Sequence, residues 1–206
     1  MNQNITFREY KKEDDKFLEE IIRKTWNYDR YFSGKIAKRT AKVYLASCLL
    51  EKTFTQVALL NNKPIGIIMA KDNKSYKKSF KLKLNLTTKS LPILFSSDGR
   101  NAVKLYSKID KLDDDLLKNS NIKFDSEIVF FVLDEKCRGL GIGKELFSKA
   151  TDYLKNSGSK NFYLFTDTTC NYGFYEHLGL KRIGEKTFNF PNNENSSFYI
   201  YAGEIG

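Results

Sequence analysis

The chain of 206 residues is strongly basic, with 35 lysines and arginines against 25 acidic residues and a net charge of +10. Its hydrophobic fraction of 41% supports a packed core, but no apolar run approaches the ~20 residues of a transmembrane helix. Three cysteines without a CxxC pair and a single histidine leave almost no material for a disulfide framework, a His-based zinc site or a Ser-His-Asp triad. The N-terminus lacks the apolar region of a secretory signal, so we expect a reducing cytoplasm, no metal and no membrane partner.

The excess of positive charge allows two interpretations. An anionic partner, such as nucleic acid, a membrane surface or a polyanionic cofactor, would be attracted by it. Alternatively, a composition rich in lysine and asparagine keeps the surface solvated. The chain has no run of five consecutive lysines or arginines of the kind that marks a nucleic-acid-binding tail. A nucleic-acid partner is therefore not expected.

Residues 1–70 have the pattern of a strand, two helices and a hairpin. A strand is predicted over 5–10. Asp14 or Asp15 is suited to cap the helix that follows it, in which apolar residues recur at helical spacing. The turn residues Asn61-Asn62-Lys63 predict a hairpin. The remaining elements are a second helix near 38–52 and the two hairpin strands over 54–60 and 65–70.

Residues 72–123 differ from the flanking segments because lysine is dense and the strand pattern is weak. Pro92 and the segment Ser96-Ser97-Asp98-Gly99 interrupt any regular pattern. Apolar residues over 102–117 nevertheless recur at helical spacing. We therefore predict a mainly helical insertion over 72–123, between two strands of the sheet.

The sheet is predicted to resume after the insertion, with helices between its later strands. These elements are a strand over 124–133, a helix that follows a glycine-rich turn and ends at Asn156-Ser157-Gly158, a strand over 162–166, a short helix over 172–178, and strands over 181–188 and 198–205. The strand over 162–166 is continuously apolar or β-branched, as in a strand buried on both faces. This order predicts a single α/β domain over residues 1–206 with a mixed sheet.

The glycine-rich turn runs from Arg138 through Gly139, Leu140, Gly141, Ile142 and Gly143 to Lys144. Its glycines allow close approach of the backbone, and the helix that begins there leaves N–H groups without partners and adds partial positive charge. These features predict a phosphate cradle. A Walker loop is excluded because Glu145 stands where that motif needs Ser or Thr, and the glycine spacing fits a Rossmann fingerprint poorly. Taken alone, the pattern leaves an empty turn open.

The motif Arg138-x-x-Gly141-x-Gly143 follows an apolar strand that begins at Glu127-Ile128, and it resembles the GCN5-related N-acetyltransferase (GNAT) family. The later segment Phe174-Tyr175-Glu176-His177-Leu178-Gly179-Leu180 also resembles that family. Residues 124–180 carry the match, whereas 72–123 match nothing in the family's common core. Thr168 stands where many members have asparagine, for which Asn171 is the candidate substitute, and Leu180 replaces the usual phenylalanine.

The resemblance implies a GNAT-like α/β fold with a mixed, mostly antiparallel central sheet. That sheet is splayed at strands 4 and 5, is flanked by helices, and carries the helical insertion before strand 4. The resemblance also implies that acetyl-CoA, as co-substrate, lies between the two splayed strands, with its pyrophosphate on the N–H groups of the glycine turn and its pantetheine arm on strand 4. The implied coenzyme-binding residues are Phe131, Val132, Leu133, Arg138, Gly139, Leu140, Gly141, Ile142, Gly143, Lys144 and Asn171.

Two groups are implied for acetyl transfer. Tyr175 is the candidate acid for the departing thiolate, with a purely structural role in the core as the alternative. Glu127 is the candidate base for the incoming ammonium, with a structural carboxylate as the alternative; burial would raise its pKa towards neutrality, as a base requires. His177 is expected to face elsewhere, and Cys170 is expected to be a small buried hydrophobe.

The acceptor site is expected in the loop after the first helix, where Tyr28, Tyr31 and Phe32 are the candidate substrate-binding residues, and in the segment from Phe188 to Ser197. The insertion is a candidate wall or lid. We therefore predict a cytoplasmic N-acetyltransferase that moves an acetyl group from acetyl-CoA to a primary amine of a small molecule or peptide by direct transfer. The alternatives are a non-catalytic acyl-CoA-binding or sensor module and, more weakly, a basic nucleic-acid-binding protein. The length of the acyl group and a homodimer stay open.

Overall fold

The computed structural model describes residues 4–190 and 194–206. The strands are β1 Ile5–Arg8, β2 Phe54–Leu60, β3 Lys63–Asp72, β4 Ser126–Leu133, β5 Asn161–Asp167, β6 Lys181–Asn189 and β7 Asn195–Glu204. The helices are α1 Asp15–Thr25, α2 Tyr28–Tyr31, α3 Gly34–Leu50, α4 Phe80–Leu94, α5 Ser97–Asn119, α6 Ile142–Asn156 and α7 Gly173–His177. The described residues form a seven-stranded sheet in the order β1-β2-β3-β4-β5-β7-β6. Its neighbouring strands are antiparallel except β4 and β5, which are parallel. The predicted α/β fold with a mixed, mostly antiparallel sheet is confirmed.

Most predicted elements are present, some with shifted ends. Strand β2 has the predicted bounds, whereas β1 ends at Arg8 rather than at residue 10, and α3 begins at Gly34 rather than near residue 38. The predicted loop before the last strand is shorter than expected, because β7 already begins at Asn195. Residues 191–193 of that loop lie outside the described residues.

Asp14 occupies the predicted N-cap position of α1 but does not cap the helix with its side chain. Its carboxylate accepts hydrogen bonds from the Arg8 guanidinium at 2.7 and 2.8 Å, and from the N–H group of Lys11 at 2.8 Å. The Asp15 carboxylate instead binds Tyr10 and Lys12. The prediction of a side-chain cap was therefore wrong: Asp14 connects α1 to β1 through Arg8, and Asp15 binds the segment between β1 and α1.

The insertion between β3 and β4 contains the helices α4 and α5. The sequence predicted a helix only over 102–117, within α5. Pro92 lies in the last turn of α4, and its carbonyl accepts a hydrogen bond from Arg39 of α3 at 3.1 Å. Ser96 then caps α5 by accepting from the N–H group of Gly99 at 3.1 Å. Among residues 4–190 and 194–206, no helix is long and apolar enough to cross a bilayer.

The sheet separates two hydrophobic faces. On one, which we call the α6 face, α6 and α7 pack against residues such as Ile68 and Ile128. On the other, which we call the α5 face, α1 and α3 pack against Ile67, and α5 packs against Tyr163 and Ile200. Consecutive strand residues alternate between these faces, so each face receives its own set of side chains.

Strands β4 and β5 pair only where they begin. Their parallel ladder contains Ser126 opposite Phe162 and Glu127 opposite Tyr163, after which the two strands separate. The predicted splay is confirmed. From Ile128 onwards, the edge of β4 that faces β5 offers backbone N–H and C=O groups in the middle of the sheet, because its ladder with β3 occupies only the other edge.

Candidate active site

A cavity of about 690 Å³ lies at the opening between β4 and β5. Every residue of β4 from Glu127 to Leu133 lines it. Consecutive side chains of a strand point to opposite faces of the sheet. A cavity that is lined by consecutive residues must therefore reach both faces, which it can do only around the edge of the strand. Residues of both faces accordingly line it, among them Tyr175 from α7 and Tyr106 from α5.

A β-bulge at Val129 lies beside this opening. Phe130 is opposite Met69, and Ile128 is opposite the next residue of β3, so Val129 has no residue opposite it. Val129 and Phe130 consequently both pack on the α5 face, where strict alternation would separate them. Bulges re-aim side chains and are frequent beside active sites. Here the bulge allows Glu127 to share the α5 face with Phe130.

The glycine turn has the backbone geometry that a phosphate cradle requires. Gly139 and Gly141 have φ angles of 79° and 76°, in the left-handed region that favours glycine. Helix α6 begins at Ile142, and the N–H group of Glu145 donates to the Gly141 carbonyl at 3.1 Å. The preceding N–H groups, of residues 142–144, have no acceptor within the helix. Apart from each glycine and its chain neighbours, no described residue has an atom within 4 Å of the position that a Cβ would take at either of them, so the turn borders open space.

The predicted coenzyme-binding residues lie along this cavity, with two exceptions. Those that line it are Phe131, Val132, Leu133, Arg138, Gly139, Gly141, Gly143, Lys144 and Asn171. The side chain of Leu140 is exposed, and that of Ile142 is buried in the core of the α6 face. Leu140 and Ile142 can therefore contribute only backbone groups to the cradle.

Tyr175 lines the cavity from the α6 face. Its ring is packed among Phe147, Phe174 and Tyr201, with ring centroids 6.2, 5.6 and 5.8 Å away. Burial, reinforced by the nearby Cys170, raises the pKa of its hydroxyl well above the usual value. The hydroxyl therefore stays protonated at neutral pH and can act as a donor towards the cavity.

Glu127 lines the cavity from the α5 face. Its carboxylate lies 3.4 Å from Nζ of Lys71, which also pairs with Glu51 at 3.0 Å. Burial raises the pKa of Glu127 above its usual range, and the charge of Lys71 opposes the rise. A largely buried carboxyl group with a raised pKa at the edge of a cavity has the properties of a general base.

Cys170 and His177 occupy different positions relative to the cavity. Cys170 is half-buried and lines it, which the expectation of a buried hydrophobe did not include. Burial raises the pKa of its thiol to about 12, so the thiol stays protonated and is a poor nucleophile. His177 is exposed, and its Nδ1 lies 2.6 Å from the Gly173 carbonyl oxygen. It does not line the cavity, as expected.

The three predicted substrate-binding residues, Tyr28, Tyr31 and Phe32, all line the cavity. Tyr28 is buried and contacts Tyr106 edge-on, with ring centroids 6.0 Å apart. Tyr31 stacks on Phe190, which lies between β6 and β7, with ring centroids 5.9 Å apart. Aromatic rings from three separate parts of the chain therefore form one wall.

The segment around α2 is also tied to the β6–β7 hairpin by polar contacts. The Tyr31 hydroxyl donates to Glu194 at 2.9 Å, and Arg30 forms an ion pair with the same carboxylate. Within the predicted acceptor segment Phe188 to Ser197, Phe190 and Ser196 line the cavity. These contacts bring together the two segments that were expected to build the acceptor site.

Sequence reasoning missed the contribution of α5 to the cavity. Tyr106, Ile109, Asp110 and Asp113 line it from this helix, and Asp167 lines it from the end of β5. The available signal was the spacing of the α5 residues, which places them on one side of a helix. Their neighbours in space could not be inferred, because the resemblance recognised in the sequence was carried by residues 124–180 and did not include this helix.

A comparison with protein families finds a match within this chain. Residues 111–180, which include the glycine turn and Tyr175, match the model of the Acetyltransferase (GNAT) family. The resemblance to the GNAT family is confirmed. The match supports acetyl transfer in general and hence an acyltransferase. No curated protein matches the sequence.

Solved structures with the GNAT-like fold align with nearly the whole chain. PH1933 from Pyrococcus horikoshii OT3 is 18% identical with a TM-score of 0.63, and the alignment covers 98% of this chain and 99% of that one. The ribosomal-protein-S18-alanine N-acetyltransferase from Escherichia coli is 12% identical with a TM-score of 0.55, covering 98% and 95%. An N-acetyltransferase from Staphylococcus aureus Mu50 is 12% identical with a TM-score of 0.56, covering 98% and 99%. At these identities the likeness establishes the fold alone.

Proposed function

We propose that this chain is an N-acetyltransferase that moves an acetyl group from acetyl-CoA to a primary amine by direct transfer. The observation that carries the proposal is one continuous cavity, lined by the glycine turn, the open edge of β4, Tyr175 and Glu127. This cavity brings together a helix N-terminus suited to bind an anion, the open edge of a strand, a protonated hydroxyl and a largely buried carboxyl group. These are the groups that the reaction requires.

The residues present fit the coenzyme. The N–H groups of residues 139–144 would bind its pyrophosphate at the start of α6, and Arg138 and Lys144 would add full positive charges. The open edge of β4 would pair with the amide groups of the pantetheine arm as a neighbouring strand does. An N–H group near Phe131 or Leu133 would polarise the thioester carbonyl, and losing such a donor typically costs about 3 kcal/mol in the transition state.

Glu127 and Tyr175 line the cavity from opposite faces of the sheet, which suits their proposed roles. The acceptor ammonium loses one proton to Glu127, directly or through water, and the neutral amine attacks the thioester carbonyl carbon. The C–N bond forms, and the C–S bond breaks with its electron pair going to sulfur. Tyr175 donates its proton to the thiolate and is reprotonated through solvent as the amide nitrogen releases its second proton. The products are the acetylated amine and free CoA.

The test combines two measurements. Acetyl-CoA is titrated by calorimetry, and release of the free CoA thiol is then followed with a panel of primary amines. We expect Tyr175→Phe to lower kcat by about 100-fold, the range of general acid–base catalysis, while the Kd for acetyl-CoA changes little. Tyr172→Phe is the matched control, because Tyr172 is the neighbouring tyrosine at the N-cap of α7 but does not line the cavity.

Each outcome has a distinct meaning. Absence of acetyl-CoA binding would contradict the proposal. Binding without release of CoA to any amine would indicate the non-catalytic acyl-CoA-binding module instead. A Tyr175→Phe enzyme with an unchanged rate would remove Tyr175 from the mechanism but would leave the reaction itself in place.

A further inference from the structure

The α5 side of the cavity carries more carboxylates than the proposed chemistry uses. Besides Glu127, they are Asp110 and Asp113 of α5 and Asp167 at the end of β5. Asp110 and Asp113 lie four and seven residues after Tyr106. This spacing places Tyr106 and the two aspartates on one side of α5. We refer to Asp110, Asp113 and Asp167 as the acidic wall.

Asp113 is the member of the acidic wall that most clearly requires a ligand. Its Oδ1 is shielded from solvent and has no hydrogen-bond partner among residues 4–190 and 194–206. The charged groups that act most strongly on it are all carboxylates, namely Asp110, Asp167, Asp114 and Glu127. Burial and then these neighbouring charges raise its pKa to about 8. In the free protein Asp113 is therefore largely protonated at neutral pH, and a positively charged donor in the cavity would stabilise its ionised form.

The cationic side chains that line the same cavity are engaged elsewhere. Arg30 is paired with Glu194, and Arg138 and Lys144 belong to the glycine turn, where the coenzyme phosphates are proposed to bind. Within the acidic wall, Asp167 accepts a hydrogen bond from the N–H group of Thr169 at 2.7 Å. Thr169 therefore satisfies part of the hydrogen-bonding capacity of Asp167, whereas a cationic partner for the carboxyl groups of α5 would have to come from a ligand.

Aromatic rings line the cavity together with the acidic wall. Tyr106 is on the same side of α5 as the two aspartates and contacts Tyr28 and Tyr44, with ring centroids 6.0 and 6.3 Å apart. Ring faces attract organic ammonium groups through cation–π interactions. The combination of carboxylates and rings favours an organic cation with an apolar chain.

We propose that the acceptor is a small amine that carries a second positive charge, and that the acidic wall and the ring of Tyr106 bind this second charge. This inference rests on the proposed function, and it specifies the acceptor class. The reacting nitrogen has to lose its charge beside Glu127 before it attacks. Only a second ammonium keeps its charge throughout, so the acidic wall can bind it in both the ground state and the transition state. The contacts between the α2 segment and the late hairpin favour a small acceptor over an extended peptide.

The test compares three ligands with the same four-carbon chain and a different far end: 1,4-diaminobutane, n-butylamine and 4-aminobutyrate. Each is titrated by calorimetry into the full-length protein with free CoA present, so that no turnover occurs. We expect the diamine to bind about tenfold or more tightly than butylamine, the discrimination typical of a hydrogen bond to a charged group, and 4-aminobutyrate to bind weakest.

The variant Asp113→Asn keeps the size of the side chain and removes its charge. It should bring the Kd of the diamine to within about threefold of that of butylamine, because the charge-assisted contact is lost. Asp114→Asn is the matched control, since Asp114 is the next residue of α5 but is exposed and does not line the cavity. It should keep the preference for the diamine.

Equal binding of the diamine and butylamine would overturn the inference, as would an Asp113→Asn protein that retains the preference. Its failure is distinguishable from failure of the proposed function. If the diamine preference is present but no amine releases CoA from acetyl-CoA, the site for the second positive charge stands and the acetyltransferase proposal falls. If butylamine releases CoA with the same kcat/KM as the diamine, the enzyme stands and the acceptor class falls.

Discussion

The two ends of the cavity are built in different ways. The coenzyme end comes from one continuous segment, 124–180, in which a strand, a glycine turn and a helix follow one another. The acceptor end is assembled from α2, α5 and the β6–β7 hairpin, which are far apart along the chain. An anion site made of backbone N–H groups is thus a local property of the chain, whereas a pocket lined by side chains depends on how distant elements pack.

The largest effect that would separate the two ends is expected from Gly141→Val. A β-branched residue at a φ of 76° is strained, and its side chain would enter the open space of the phosphate cradle. The free variant turn is expected to relax away from this conformation. Restoring it on binding would cost about 1–3 kcal/mol, so we expect affinity for acetyl-CoA to fall by about 100-fold. Diamine affinity, measured without CoA, should change little if the two ends are independent.

Gly158→Val is the control for backbone strain in that experiment. Gly158 has a φ of 79° and equally open surroundings, but it lies after the other end of α6. It should lower the melting temperature without changing affinity for the coenzyme. A similar loss of coenzyme affinity in both variants would mean that the cradle is sensitive to the helix as a whole rather than to the turn.

Asp113 at the acceptor end of the cavity should make the free energy of unfolding depend on pH. The pKa of Asp113 is raised to about 8 in the folded protein, so the folded state binds more protons than the unfolded state between about pH 4 and pH 8, and stability falls as the pH rises through that range. Asp113→Asn removes this loss. The difference in the free energy of unfolding between this variant and the wild type should shift in favour of the variant by on the order of 2 kcal/mol from pH 5 to pH 9, after discounting for partial solvent access.

Urea denaturation at several pH values checks this prediction. Asp114→Asn changes an exposed carboxylate of the same helix. Its free energy of unfolding should depend on pH in the same way as that of the wild type. If the free energy of unfolding of Asp113→Asn has the same pH dependence as that of the wild type, the pKa of Asp113 is not raised in the absence of a ligand. That result would weaken the contrast between the two ends of the cavity.

The smallest effect is expected from Lys71→Met. Lys71 lies 3.4 Å from Glu127 and opposes the rise of its pKa. Without this charge the pKa of Glu127 rises further, so the base is available only at higher pH. The acid limb of the kcat/KM profile should shift upwards by about one pH unit, a typical effect of one nearby charge.

Lys71→Arg keeps the charge and should restore the original profile. If Lys71→Met lowers kcat/KM equally at all pH values, Lys71 has a structural role and does not tune the base. Since Lys71 also pairs with Glu51 at 3.0 Å, thermal unfolding of both variants shows whether that contact contributes to the difference.

The sequence predicted most of the elements but not all of them. Helix α4 was missed because its apolar residues do not form one stripe: Phe80, Leu84 and Leu91 are exposed, whereas Ile93 is buried. The segment 96–99, which was expected to interrupt the pattern, instead starts α5. A Cβ at Gly99 would lie 1.9 Å from the Ile93 carbonyl oxygen, so the helix pair depends on a close approach that periodicity does not report.

Prediction of the candidate site was uneven for the same reason. The residues placed by motif, such as Arg138, Gly141 and Tyr175, line one cavity as expected, although their roles stay predictions. The aspartates of α5 were missed, because a carboxylate at helical spacing is ordinarily a solvated surface group. Only the position of α5 over the opening of the sheet makes them part of the site.

By itself, the sequence determined the glycine turn and the register from Glu127 to Tyr175. These depend on φ angles, helix starts and strand alternation, which act over a few residues. Tertiary structure alone decided what faces the turn across the cavity. The raised pKa values of Glu127 and Asp113 arise from burial and from charges brought together by packing, and burial is a property of the folded chain rather than of any segment.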